Sequence, residues 1–422
     1  MDAQKDLGPI VRRLRLAKGL TLDNVAVDLG ISKAFLSYAE NGKMLLKNDV
    51  FDQFLNRYRI GFNNDLSMIG KIKNILDNLV RALIYSNSER EDEIINEVML
   101  NKNDFESSFA CAYLPLVECV LTVHNLSGQT IQEQSHSISE AEAFLPLYSA
   151  DERALFTFAK AYSMDARAKY GLAVKLYYEA LEMFDGRQWP QLEGIIKMNL
   201  SNALVVVASY FDAYEMVREA RDIFIKNGNY NRAMICENNI SNCLLTMQCF
   251  EAAQKTLQKI LMMKESFSNL KVYIHSTRTM LLALTLDEKF TETIQFGEKH
   301  KLPFENGFIG NYCLIPYCYY RIGQPEESLR EIKELSKEKP AADDKAFFSL
   351  LKAIIKKDKT GIEKEKLRME KICSKQLNWL MLMVLYQLMI YYYTSEKEYE
   401  LLADAYAKQA MVLKHKLPLP KE

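Results

Sequence analysis

The sequence predicts an all-α protein in two parts, a compact four-helix head and a long body built from repeated helix pairs. Three observations carry this. Gly (16) and Pro (10) are scarce in a chain of 422 residues that is 49% apolar and holds 18 Met, a composition of helix formers. Apolar residues recur at helical spacing along nearly the whole chain. A segment of the middle also returns forty residues later. The length exceeds one core and implies two or three units.

The head reads element by element. Leu7, Ile10, Val11, Leu14 and Ala17 share one face of a first helix. Pro9 lies in its first turn, where a missing N–H costs little, and Gly19 ends it. Thr21 caps a second helix with Leu22, Val25, Ala26 and Leu29 inward. Gly30 supplies the left-handed residue of a tight turn. Ser32 caps a third helix with Phe35, Leu36 and Ala39 inward, and Gly42 closes it. Asn48 is expected to cap a fourth helix that buries Phe51, Phe54, Leu55 and Tyr58. Two short capped helices joined by a glycine turn form the DNA-binding helix-turn-helix pattern.

The stretch Gly19-Leu20-Thr21, then Ala26, Gly30-Ile31-Ser32, Leu36-Ser37 and Glu40-Asn41-Gly42 resembles the phage-repressor, XRE-like class. That resemblance implies that the third helix enters the major groove of a double-stranded DNA operator. Its outward residues Lys33, Ala34, Ser37 and Tyr38 are then candidates for base edges: Lys33 can donate to guanine and Ala34 can touch a thymine methyl. Ser32, Lys43 and Arg12 are expected on phosphates. The class also implies a structural ion pair between the first helix and the closing motif, here Arg15 with Glu40. It usually has Gln at the second position of the second helix, and this chain has Leu22, which removes that phosphate grip. Residues 1–64 carry ten Lys/Arg against seven Asp/Glu although the whole chain is −1. A mildly basic head on an acidic body suits phosphate contact confined to the head.

Residues 65–99 read as linker helices. Apolar residues at 66, 69, 72, 76, 79, 80 and 83 make one long amphipathic helix over Asp65–Tyr85, followed by a charged break, Ser86–Glu93. Residues 100–422 read as the repeat body. Asn199-Leu-Ser-Asn-Ala-Leu204 recurs as Asn239-Ile-Ser-Asn-Cys-Leu244, and Ala173, Ala213, Ala253 and Thr293 follow at the same step. Ala173, Tyr177 and Ala180, like Ala213, Val217 and Ala220, keep the spacing of the second helix of a tetratricopeptide repeat. The standard period is about 34 residues, so a step of forty implies longer helices or loops. Further pairs are expected at Tyr312–Arg321 with Glu326–Leu335, Lys345–Lys357 with Gly361–Cys373, and Asn378–Thr394 with Lys397–Lys414. Asp104–Val123 and Ser139–Tyr148 read as less regular helices. The expected body is a tetratricopeptide-like α-solenoid of five to eight hairpins whose first helices line a concave face.

That face offers candidates for a ligand. Asn199 and Asn202 lie one turn apart on a first helix, and Asn239 and Asn242 repeat them with Asn238 beside. Asn is a poor residue for a helix interior. Its amide carries both a donor and an acceptor and can clamp the backbone of an extended peptide. Arg278, one repeat on, can hold a carboxylate, and Tyr162, Tyr317 and Tyr320 can flank the groove. The alternative is that these amides only bond between neighbouring repeats.

Head and body together resemble the peptide-pheromone receptors of Gram-positive bacteria, the RRNPP group with its Rgg-, PlcR- and NprR-like regulators. The resemblance implies a cytoplasmic homodimer and a quorum-sensing role. A short signalling peptide binds in the repeat groove, alters dimer geometry and so changes operator binding. It also implies groove asparagines on the peptide backbone, at Asn202, Asn238 and Asn242, with Asn199 beside them. A dimer reads two half-sites only when its recognition helices stand about 34 Å apart, and a peptide shifts that spacing only if it binds one state better.

Other classes find little support. There is no H-E-x-x-H, G-x-S-x-G, Walker loop or G-x-G-x-x-G, and the five His are scattered, so neither an enzyme nor a cofactor or metal site is expected. The eight Cys form no C-x-x-C pair and read as reduced thiols of a cytosolic protein. Leu380–Tyr393 is apolar but shorter than the ~18 residues of a membrane span and contains Gln387, so no membrane is expected. The alternatives are a repeat scaffold for a protein partner, a modulator of a phosphorelay, or a plasmid- or phage-type repressor without a small ligand.

Overall fold

The computed structural model describes residues 7–86, 89–123, 131–262, 270–300, 310–338 and 340–413, and these are helical throughout apart from turns and one isolated bridge. His124, His415 and Lys414 lie outside the described residues. Two compact units pack separately. One runs to Ala203 and includes Lys226–Asn229; the other holds Leu204–Ile225 and Tyr230 onward.

The first unit begins with α1 (Leu7–Ala17), α2 (Leu22–Asp28), α3 (Lys33–Glu40) and α4 (Asn48–Arg57). Thr21 accepts from the Asn24 amide and Ser32 from the Phe35 amide, so α2 and α3 are capped by side chains. Gly19, Gly30 and Gly42 all have φ near +67°, the left-handed region open to glycine. Gly8 has a different task. A Cβ there would lie 2.0 Å from the Ala39 carbonyl oxygen, so the backbones of α1 and α3 touch. Two expectations fail locally. Lys47, not Asn48, precedes α4, and Asp49 Oδ1 instead accepts the Val50 amide of the first turn. Ala17 is exposed at the end of α1, and Arg15 takes the buried position.

The linker follows as α5 (Ser67–Tyr85), whose Ile69, Ile72, Leu76, Leu79, Val80 and Leu83 are buried at the expected spacing. The charged break is shorter than expected: Ser86 turns left-handed at φ 55° and α6 (Glu89–Glu106) already includes its acidic run. The helix expected over Asp104–Val123 divides into the end of α6, a 3-10 turn at Phe109–Ala112 and α7 (Leu114–Val123), with Ser108 capping the turn. Then come α8 (Ile131–Ala143), a 3-10 turn at Leu145–Leu147, α9 (Ala150–Ala166), α10 (Tyr170–Met183) and α11 (Leu192–Val206). Ser149 and Glu152 cap α9 reciprocally.

The second unit continues with α12 (Tyr210–Lys226), α13 (Tyr230–Thr246), α14 (Phe250–Met262), α15 (Leu270–Leu286), α16 (Phe290–Lys299), a 3-10 turn at Gly310–Cys313, α17 (Leu314–Arg321), α18 (Pro325–Leu335), α19 (Ala342–Ile355), α20 (Lys359–Gln376), α21 (Trp379–Glu396) and α22 (Tyr399–Leu413). The repeat step has a clear packing basis. Ala173, Ala213, Ala253 and Thr293 are all fully buried, as are Tyr177, Val217 and Leu257 one turn later. A small residue lets the paired helix approach, and the larger one fills the space beside it. Each hairpin turns on a left-handed residue at the same step, Ala168, Ala208, Gln248 and Glu288, with φ between 58° and 70°.

Two features of this unit differ from expectation. Tyr317 is fully buried between Phe290 and Phe347, so it belongs to the core and does not flank a groove. Elements distant in sequence are also tied together within this unit. The Arg321 guanidinium lies 4.3 Å from the ring centres of both Phe290 and Tyr391, and Gln387 donates to the Leu286 carbonyl at 3.1 Å.

Asp344, in the first turn of α19, accepts from the Ala341 amide at 2.9 Å, and burial pushes its carboxyl up from 3.8 to about 6. The folded state therefore holds a proton that the unfolded chain releases, and stability falls as pH rises from about 4 to 6. Asp344→Asn is expected to stabilise the protein above pH 6, by on the order of 1–3 kcal/mol, and to do nothing below pH 4. Urea melts at pH 4 and pH 7.5 check this.

Among the described residues no three His, Cys, Asp or Glu group as metal ligands, and no helix is long and apolar enough to cross a membrane. All eight cysteines are free and seven are buried. Burial pushes the thiols up, Cys111 to about 11 and Cys236, Cys243, Cys318 and Cys373 to about 12. They act as small hydrophobes.

Candidate nucleic-acid interface and peptide-binding face

α3 is held rigidly from behind. Leu36, Ala39 and Glu40 are buried. Arg15 Nε and Nη2 meet Glu40 Oε1 and Oε2 at 2.7 and 2.8 Å, and Nη1 donates to the Leu20 carbonyl at 2.8 Å. The Glu40 hydrogen bonds raise the Arg15 pKa above its usual value. This pair fixes α1, α3 and the turn before α2 to one another. On the far side α3 presents Ser32, Lys33, Ala34 and Tyr38, all exposed, with Ser37 half-buried between them. Tyr38, a large aromatic, is 52% exposed.

Lys33 Nζ pairs with Asp23 Oδ2 at 2.8 Å, both well exposed. An exposed pair of this kind contributes little stability, so Lys33 can exchange Asp23 for a nucleic-acid acceptor at small cost. Lys43 is exposed just past Gly42. Arg12 is half-buried and donates to Asn41 Oδ1 at 3.1 Å, so, like Lys33, it already has a partner within the head.

The head is docked within the first unit, which the sequence did not suggest. Phe62 meets Phe51 and Phe109 edge-on at 5.3 and 5.0 Å, and Phe51 stacks on Phe109 at 6.2 Å. Arg13 Nη1 donates to the Cys111 carbonyl at 2.9 Å, and the Asn63 amide to the Ser107 carbonyl at 2.7 Å. A Cβ on Gly42 would stand 2.9 Å from Pro146 Cβ. The 3-10 turn after α6 is thus a seat for α1 and α4. These partners are separated by tens of residues, and no local pattern signals them.

The candidate peptide residues lie on first helices. In the first unit, α11 carries Asn199, whose Nδ2 donates to the Ile195 carbonyl of its own helix at 2.9 Å, and Asn202, which is exposed. In the second unit, α13 carries Asn238 and Asn242, one turn apart and half-buried, and the adjacent α15 carries half-buried Arg278. Ser276 Oγ donates to Asn238 Oδ1 at 3.3 Å, joining α13 to α15. His275 is exposed and lies three residues from Arg278, so the two share a helix face. Ser276 and His275 escaped the sequence reading because neither belongs to the Asn repeat.

Comparison with known proteins places this geometry. A helix-turn-helix domain family matches residues 6–61. No curated protein matches the chain. Among solved structures, the apo form of RapI superposes with a TM-score of 0.62 at 13% identity, covering 83% of this chain and 98% of its own. A Rap protein complexed with competence and sporulation factor gives 0.61 at 14%, covering 82% and 98%. The apo form of the quorum sensor NprR from B. thuringiensis gives 0.61 at 15%, covering 82% and 99%. The chain therefore shares the fold of these solved structures over most of its length.

Proposed function

We propose that this chain is an RRNPP-type, cytoplasmic, homodimeric DNA-binding transcription regulator whose repeat body binds a short signalling peptide. The observation that carries the reading is the capped and rigidly backed α3, exposed along Ser32, Lys33, Ala34 and Tyr38 on a head seated against a repeat body. The likeness to a quorum sensor and to a Rap protein complexed with competence and sporulation factor supports the peptide half.

In this reading Lys33 leaves Asp23 for a base edge, Ala34 and Tyr38 pack in the groove, Ser37 adds a hydroxyl, and Ser32, Lys43 and Arg12 hold phosphates. Asn238 and Asn242 clamp a peptide backbone and Arg278 holds a carboxylate. Asn199 and Asn202 offer the same amide chemistry on α11. Peptide binding shifts the first helices, and the seat at Phe109 and Pro146 passes that shift to α3. The effect on operator affinity equals the peptide's preference for one arrangement over the other.

Lys33→Ala tests the DNA half. A lost base contact costs about 1–3 kcal/mol, so affinity for a selected operator is expected to fall roughly tenfold or more while binding to random DNA changes little. Fluorescence anisotropy on an operator obtained by in vitro selection reads this. Unchanged affinity would remove Lys33 from the readout.

A further inference from the structure

α20 presents a row of cations. The helix carries six Lys/Arg against three Asp/Glu, in a chain whose net charge is −1. Ile362, Met369 and Cys373 form its core side. On the other side Lys364, Arg368, Lys371 and Lys375 are all exposed, with Leu367, 58% exposed, beside them. The spacings along the cations are four, three and four residues, so they make one straight row about 16 Å long.

The three acids of the helix leave this row largely unneutralised. Glu363 accepts from the Tyr393 hydroxyl at 2.6 Å and pairs with buried Lys366 at 2.6 Å. Glu370 accepts from the Tyr386 hydroxyl at 3.1 Å and from Lys408 at 3.3 Å. Both are thus held on the side of α21 and α22. Glu365 meets only Arg368 of the row, at 3.2 Å. No ion pair holds Lys364, Lys371 or Lys375 among the described residues. Lys364 with Arg368 and Lys371 with Lys375 stand at i,i+4, the spacing at which like charges destabilise a helix. Nearby cations are placed differently: Lys357 pairs with Glu396 and Lys359 with Glu398. The row is therefore a local cost that an anionic surface laid along it removes.

We propose that α20 is a docking surface for an acidic amphipathic helix of a partner protein. Carboxylates at the same alternating spacing meet the four cations, and an apolar residue of the partner covers Leu367. Leu367 favours a protein over a nucleic acid. A phosphate backbone has nothing to place on an exposed leucine, and the row holds no aromatic ring on which a base could stack. The pairs are exposed, so the complex is weak and sensitive to salt. It needs neither the operator nor the signalling peptide, and its failure leaves the regulator reading intact.

Fluorescence anisotropy on the full chain tests this with a labelled, acetylated and amidated helical peptide that places Glu at the spacing of the row and Leu beside it. A counterpart with Lys in place of Glu is the control. The Glu peptide is expected to bind at low salt and to lose affinity as salt rises, and the Lys peptide not to bind. K364Q/K371Q/K375Q should weaken the Glu peptide at least ~10-fold, and L367S should also weaken it, with far-UV circular dichroism unchanged. K364E/K371E/K375E should take the Lys peptide instead, an exchange that a damaged fold does not produce. A Glu peptide that still binds K364Q/K371Q/K375Q as it binds the wild type, or a wild type that takes neither peptide or both alike, would overturn the proposal. So would a loss of affinity for random-sequence duplex DNA in K364Q/K371Q/K375Q larger than its loss for the Glu peptide, because the row would then serve phosphates.

Discussion

Glu40→Ala is expected to unfold the head while leaving the second unit intact. Glu40 is 3% exposed and its two oxygens hold a largely buried Arg15. Removing the carboxylate strands a guanidinium whose remaining partner here is the Leu20 carbonyl. Breaking one side of a buried pair costs about 3–5 kcal/mol, a large share of the total for any small domain. The site has no slack to absorb the loss, because the backbones of α1 and α3 already touch at Gly8 and Ala39. Hydrogen exchange should show lost protection across α1–α4 with α13–α22 unchanged, and operator binding should disappear. Glu40→Gln keeps one acceptor and should fall between. A head that keeps its protection in Glu40→Ala would mean that apolar packing alone holds α1 to α3.

Asn238→Ala with Asn242→Ala is expected to abolish the peptide response and spare peptide-free DNA binding. Each amide that clamps a peptide group contributes about 0.5–1.5 kcal/mol net, and more when its loss strands a buried partner. Removing both should weaken peptide binding roughly 10- to 100-fold or more. Both residues sit on α13 with their side chains half-buried, so the substitution removes little packing. Isothermal titration with peptides recovered from the producing culture reads the affinity, and anisotropy on the operator reads the rest. Loss of DNA binding along with the peptide response would point to misfolding. An unchanged peptide affinity would assign the repeated amides to bonds between repeats.

Much of this architecture is legible in the chain because it depends on local chemistry. Thr21 and Ser32 cap where a hydroxyl must meet an amide three residues on, and Gly19, Gly30 and Gly42 stand where φ is positive. The step of forty shows at Ala173, Ala213 and Ala253 because a helix crossing tolerates only small side chains there. What escapes is set by contacts distant in sequence. The turns at Ala168, Ala208, Gln248 and Glu288 are left-handed without glycine, so no residue type marks them. Tyr317 looks like a groove residue until Phe290 and Phe347 close over it. The seat of the head on Phe109, Cys111 and Pro146 joins segments that no periodicity links.

The central claim is that one chain couples an extended peptide on its repeat helices to a DNA-reading α3. The most direct measurement is operator anisotropy with the purified chain, before and after adding the peptide fraction of spent medium from the cells that make it. The account predicts a change in operator affinity of tenfold or more, about 1.4 kcal/mol of coupling, that disappears when the fraction is protease-treated. Operator affinity that stays the same with intact and digested fractions, in a protein whose melting temperature also does not move, would contradict it.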